Sequence, residues 1–186
     1  MDKTIRHERI GLLFIAIFLV FCVFSPSTCN YTNAQHHGAP PPLAKLGDRD
    51  IKMNFIVEPA VIGSGQNAQI KMSLTDEKTG QKIQHVTYRM TLSKNDQIKI
   101  SDFFHTHQGD LTIASKNTNS PNVRVEGTFD ALTNAVIADP SGTISIIGQV
   151  FSEPGLYNAD IEIITIDNDK TDLQNPLEYH FDVNVK

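Results

Sequence analysis

The chain of 186 residues predicts an all-β protein, an antiparallel sandwich of about eight strands behind an N-terminal hydrophobic helix. Three observations point there. Apolar and polar residues alternate with period two over short runs, which buries one face of each run and wets the other. Turn signals recur between these runs, and no long stretch carries the helical period. The stretch that organises the rest is Ser152-Glu153-Pro154-Gly155-Leu156-Tyr157, a tight corner, with the strand after it from Asn158 to Asp167. In that strand Tyr157, Ala159, Ile161 and Ile163 share one face, and Asn158, Asp160 and Glu162 share the other.

Composition narrows the function. The chain is 40% apolar and 20% charged, an ordinary globular balance and enough for one domain plus a targeting segment. The net charge is −5 and the body of the chain has no Lys/Arg cluster, so nucleic acid is not expected as a partner. Tryptophan is absent, which removes a Trp-lined platform for sugar or lipid.

Residues 1–34 read as a signal peptide or a membrane anchor. Lys3, Arg6 and Arg9 make a basic start, Ile10 to Phe24 is apolar apart from one glycine, and Ser25-Pro26-Ser27 breaks the run. Those 15 residues make about 22 Å of helix, short of the roughly 20 residues a full span wants. That favours a cleaved signal, with the best cleavage point after Thr32-Asn33-Ala34. In both cases the positive end stays inside and residues 35–186 are exported. Cys29 lacks a good lipobox, because Thr28 stands where Gly or Ala belongs. Asn30-Tyr31-Thr32 is a glycosylation sequon only if the segment is retained. Both cysteines, Cys22 and Cys29, precede Ala34, so a chain cut there has neither a disulfide nor a thiol nucleophile.

Residues 35–50 read as a Pro-rich linker, with Pro40-Pro41-Pro42 as a stiff spacer. The domain is expected over 51–186. Ile51 to Val57 is a strand with Met53, Phe55 and Val57 on one face. Gly63-Ser64-Gly65 turns the chain into a strand from Gln69 to Thr75, and Asp76 to Gly80 makes the next connection. His85 to Ser93 alternates without a fault, with Val86, Tyr88, Met90 and Leu92 inward. Ile98 and Ile100 open a strand leading to Phe103-Phe104-His105-Thr106-His107. Leu111 to Ala114 and Asn122 to Gly127 follow as strands. Phe129 to Asp139 reads either as a short helix capped by Asp130 or as a loop. Thr143 to Val150 is apolar enough for a central strand. After the corner and the long strand, Asp167 to Pro176 is an acidic loop, and Leu177 to Val185 closes the domain with Tyr179, Phe181, Val183 and Val185 inward.

Pro154-Gly155-Leu156-Tyr157 ahead of an alternating strand resembles the tyrosine corner of immunoglobulin-like sandwiches, in which the hydroxyl bonds nearby backbone. Asp102-Phe103-Phe104-His105…Gly109-Asp110-Leu111-Thr112-Ile113 and Gly155-Leu156-Tyr157…Ile161-Glu162-Ile163…Thr165-Ile166-Asp167 resemble exported archaeal sandwich proteins of unassigned chemistry, notably from ammonia oxidisers. More distantly, the pattern is similar to periplasmic copper-handling sandwiches of the YtkA/CopC sort, without the Met-rich motif some of those carry. The resemblance spans residues 51–186. It implies an immunoglobulin-like fold rather than an activity.

Two histidine pairs are candidate metal ligands. His105 and His107 sit two apart on a strand and so point to one side, where two imidazoles chelate Cu(II) or Zn(II). His85, His180 or an acidic side chain would complete such a site. The plain alternative is two polar residues at a strand end. His36 and His37 form the second pair: with cleavage after Ala34, His37 is third in the mature chain. A free amine, two amides and its imidazole then make a square-planar site suited to Cu(II) or Ni(II). The alternative there is a leader whose Gln35 cyclises. Asp167, Asp169 and Asp172 offer oxygen to Ca²⁺ but lack the glycine and terminal glutamate of an EF-hand loop, so a solvated turn is favoured.

No G-x-S-x-G, H-E-x-x-H or phosphate-loop motif is present, so no catalytic residues are assigned and the chain is not expected to be an enzyme. The leading expectation is an exported module, secreted or at the outer face of the membrane, that meets a protein partner through sheet edges or loops and needs no cofactor. The second is an extracytoplasmic copper-binding protein using surface histidines.

Overall fold

The alternating runs form strands whose apolar faces close on each other. The computed structural model describes residues 44–46, 49–166 and 171–186, with side chains over 49–166 and 177–186. The strands are β1 (Ala44–Leu46), β2 (Arg49–Glu58), β3 (Ala68–Asp76), β4 (Val86–Lys94), β5 (Gln97–Thr106), β6 (Asp110–Lys116), β7 (Arg124–Glu126), β8 (Thr128–Asp130), β9 (Ala135–Ile137), β10 (Thr143–Ile147), β11 (Gly155–Ile166) and β12 (Thr171–Val185). One six-stranded sheet runs β1-β2-β3-β6-β10-β7 and the other β12-β11-β4-β5-β9-β8. The inner faces share one core. Met72, Leu74, Leu111 and Ile144 come from the first sheet, and Tyr88, Met90, Phe104, Tyr157 and Ile161 from the second.

The all-β sandwich is as the alternation requires, but the sheets are mixed rather than purely antiparallel. β10 runs parallel to β6, and β9 parallel to β5. The chain leaves a sheet and returns to it through the other one, so these strands re-enter in the same direction. The described residues form more strands than the eight or so expected because β1, β8 and β9 have three residues each, too few to show a period. β1 and the start of β2 fall within the span expected as linker, and Ala44 pairs with Ile51. The expected N-terminal helix lies outside the described residues.

Two local expectations are corrected. Phe129 to Asp139 is neither helix nor loop: it is the hairpin β8–β9 and its exit. Asp130 does cap backbone, accepting from the N–H groups of Leu132 and Thr133, but the capped element is the hairpin turn. The supposed acidic loop is shorter than expected, because β12 starts at Thr171, opposite Ile166.

The corner holds as expected. The Tyr157 hydroxyl donates to the Glu153 carbonyl at 3.1 Å, and the Glu153 N–H reaches it at 3.3 Å. Lys94, nearly buried, donates to the Glu153 carboxylate at 3.0 Å and to the Pro154 carbonyl at 2.8 Å, with its ammonium 5.5 Å from the centre of the Tyr157 ring. The corner therefore locks the end of β4 to the start of β11.

Candidate metal centre

The β4–β5 hairpin turns through Asn95 and Asp96, both at positive φ (48° and 62°), and pairs Lys94 with Gln97. That left-handed two-residue turn suits the strand twist. Kept in step from there, it would set Thr87 opposite Phe104, an outward residue against an inward one. A bulge prevents this. Ser93 pairs with Ile98 and Leu92 with Ile100, so Lys99 is the extra residue. Ile98, before the bulge, points outward and is 66% exposed, whereas Ile100 is buried. Beyond the bulge Tyr88 faces Phe104 in the core and Thr87 faces His105 on the outer face.

The same register carries past the strand ends. His85 donates its N–H to the His107 carbonyl at 3.1 Å and so stands across from it, with φ at +52°. His85, His105 and His107 therefore share the outer face at one end of the sheet. His105 Nε2 lies 3.3 Å from His107 Nδ1, and His107 Nδ1 lies 3.3 Å from His85 Nδ1. One nitrogen from each ring falls within 4.8 Å of the other two. The rings of His85 and His105 are farthest apart, at 6.4 Å between centroids, against 5.3 and 4.7 Å for the other pairs.

These spacings suit an ion. At metal–nitrogen distances of about 2.0–2.1 Å, a tetrahedral centre separates its ligands by about 3.3 Å. Two of the edges already have that length. The third pair, His85 and His105, has its ligand nitrogens within 4.8 Å. All three donors are imidazoles, which suit copper, zinc and nickel and not calcium or magnesium.

A second bulge supplies support behind the ligands. β11 buries its odd positions up to Ile163, which pairs with Tyr88; past Ile164 the register shifts and Thr165 pairs with Thr87. Thr165 thereby changes to the outer face and donates to Thr87 Oγ1 at 2.8 Å, while Thr87 Oγ1 lies 2.9 Å from His105 Nδ1. All three residues are buried. One expectation fails here: His105 is not a surface histidine. It is 0% exposed, beside Thr87 on β4 and Ile137 on β9, whereas His85 is half-buried and His107 exposed. The N–H groups of Leu132 and Thr133 and the Thr133 hydroxyl hold the Asp130 carboxyl below its usual value, the Leu132 N–H foremost.

The other sequence candidates lie elsewhere. His180 is on β12 opposite Asp160, with Nδ1 2.6 Å from that carboxylate, and β11 and β4 stand between it and β5. His36, His37, Asp167 and Asp169 lie outside the described residues, and Asp172 is on β12. Thr87 and Thr165 were not singled out from the sequence, because only the two bulges bring them together behind His105.

No family model matches the chain, and neither does any curated protein. Two solved structures are similar in outline. One is the CARDB domain of a Pyrococcus furiosus protein in complex with di-metal ions, at 14% identity and a TM-score of 0.35, covering 76% of this chain and 97% of that one. The other is a β-glucosidase from Listeria innocua in complex with glucose, at 10% identity and a TM-score of 0.31, where 76% of this chain covers 17% of the enzyme. Neither the metal ions of the first nor the sugar of the second is carried over to this chain.

Proposed function

We propose that this is a non-enzymatic, extracytoplasmic binding module whose ligand is a transition-metal ion, copper foremost, held by His85, His105 and His107. The convergence of three imidazole nitrogens at one end of a sheet carries the reading. His107 Nδ1 bears either one hydrogen or one lone pair, yet two other ring nitrogens sit at hydrogen-bonding distance from it. A cation accommodates three lone pairs pointing at one place. Among divalent first-row ions Cu(II) binds nitrogen donors most tightly, and export follows from the signal-like residues 1–34.

Titration of the purified chain with Cu(II), read by electron paramagnetic resonance, tests this. The expected result is one tight equivalent whose spectrum carries nitrogen couplings and which disappears in His105→Ala. An equivalent that survives this substitution and is lost on His36/His37→Ala belongs to that pair. Wild-type protein binding copper no better than a triple His85/His105/His107→Ala variant would sink the proposal.

Contact with a protein partner at the cell surface is the second reading. It is favoured by the edge strand β8 and its turn, where Phe129 is 60% and Leu132 92% exposed. Proximity labelling from Leu132 in the native membrane, against a Leu132→Lys control, would find that partner or return none above background.

A further inference from the structure

We infer that Thr87 is a positioning residue of the metal centre, holding the His105 ring with Nε2 toward the ion and accepting the Nδ1 hydrogen of the metal-bound tautomer; this rests on the metal reading above. A neutral imidazole has one N–H and one lone pair. His105 points Nε2 at His107 and Nδ1 at Thr87. To bind an ion through Nε2, the ring must carry its hydrogen on Nδ1, and Thr87 Oγ1 at 2.9 Å is placed to accept it. Metal-bound histidines depend on such a partner for ring orientation and basicity.

A hydroxyl has a property here that a carboxylate lacks: it serves both tautomers. With no ion bound, Thr165 donates to Thr87, Thr87 donates to the His105 Nδ1 lone pair, and Nε2–H points at His107 Nδ1. With the ion bound, Nδ1 holds the hydrogen and donates to Thr87 Oγ1, which has two lone pairs and still accepts from Thr165. The ion displaces the Nε2 hydrogen to water and Nδ1 takes one up from water, so the exchange is neutral overall; the Thr87 hydroxyl turns its own hydrogen away from Nδ1 and offers a lone pair instead. A carboxylate there would hold the Nδ1–H form permanently. The threonine makes loading and unloading of the ion a change of hydrogen positions within a buried frame.

The test is zinc titration, by chelator competition, of the full chain and three variants, with long-range ¹⁵N–¹H spectra of zinc-loaded wild type reporting the His105 tautomer. Thr87→Val is expected to weaken zinc binding about 10–100-fold, with Thr87→Ser and Thr165→Val each within about threefold of wild type. Loaded wild type should show His105 with its hydrogen on Nδ1. Thr87→Val binding as tightly as wild type would overturn the inference and leave the metal reading standing. So would Thr165→Val weakening binding equally, since that marks a packing role, or an Nε2–H tautomer in the loaded protein. Wild type that binds no zinc and no copper overturns both.

Discussion

A bound ion should raise the melting temperature of the sandwich, and the size of the shift follows from what the ion ties together. His85 belongs to the connection between β3 and β4, whereas His105 is the last residue but one of β5 and His107 lies just beyond it, so an ion joins segments that unfolding separates. At a free zinc concentration of 100 times Kd, binding to the folded state alone stabilises by about 2.7 kcal/mol. A domain of this size gains about 3–4 °C per kcal/mol, so the expected shift is about 8–10 °C. Structural zinc sites with four ligands are worth about 10–16 kcal/mol, or about 3 kcal/mol and 100-fold in affinity per ligand. His85→Asn, chosen because asparagine tolerates the positive φ of this position, should then have Kd near the same zinc concentration and shift by only about 1–2 °C. His180→Ala, remote from the cluster, should keep the full shift. Calorimetry with and without zinc reads all three, each variant measured against its own metal-free melting point. An unchanged shift in His85→Asn would refute the three-histidine reasoning, and so would a shift lost in His180→Ala.

Two further predictions concern the frame. Gly109 sits at φ +85°, and a Cβ there would lie 2.1 Å from the carbonyl oxygen of Ile83, two residues before His85. Gly109→Ala should cost about 2–4 kcal/mol in urea unfolding and weaken zinc binding as the His85 segment moves; a loss under about 1 kcal/mol would contradict it. The Thr79 N–H, with help from the Thr79 hydroxyl and the Arg49 guanidinium, holds the Asp76 carboxyl below its ordinary value of 3.8. A lowered folded value means stability that is fully present above pH 3.8 and is lost as pH falls through the folded value. The urea midpoint of wild type should therefore approach that of Asp76→Asn as pH drops below about 4, and a constant gap would count against the linkage.

The faces of the long strands were legible because period-two alternation is a local property. Tyr88, Met90 and Leu92 are inward, and so are Tyr157, Ala159 and Ile161, as their positions demand. The His105–His107 pair was legible for the same reason. What could not be read locally was the partner of that pair, because His85 is 20 residues upstream of His105 and meets it only through pairing register. A signal did exist. The inward residues Tyr88, Met90 and Leu92 of β4 and Ile100 and Phe104 of β5 are all even-numbered, so pairs across the hairpin must match even with even. A two-residue turn at Asn95-Asp96 pairs Lys94 with Gln97, which matches even with odd. The two requirements agree only if one residue bulges between the turn and the core, and that slip is what sets His85 across from His107 instead of Thr106. The β11 bulge had a fainter trace: Ile163, Ile164 and Ile166 are apolar on both parities, so alternation stops where Thr165 must change faces. The β11 bulge lies beside the histidines and the Lys99 bulge at the turn end of the same hairpin, and each re-aims a side chain that the site uses. The regular strands build the sandwich, and its two irregularities assemble the candidate metal centre.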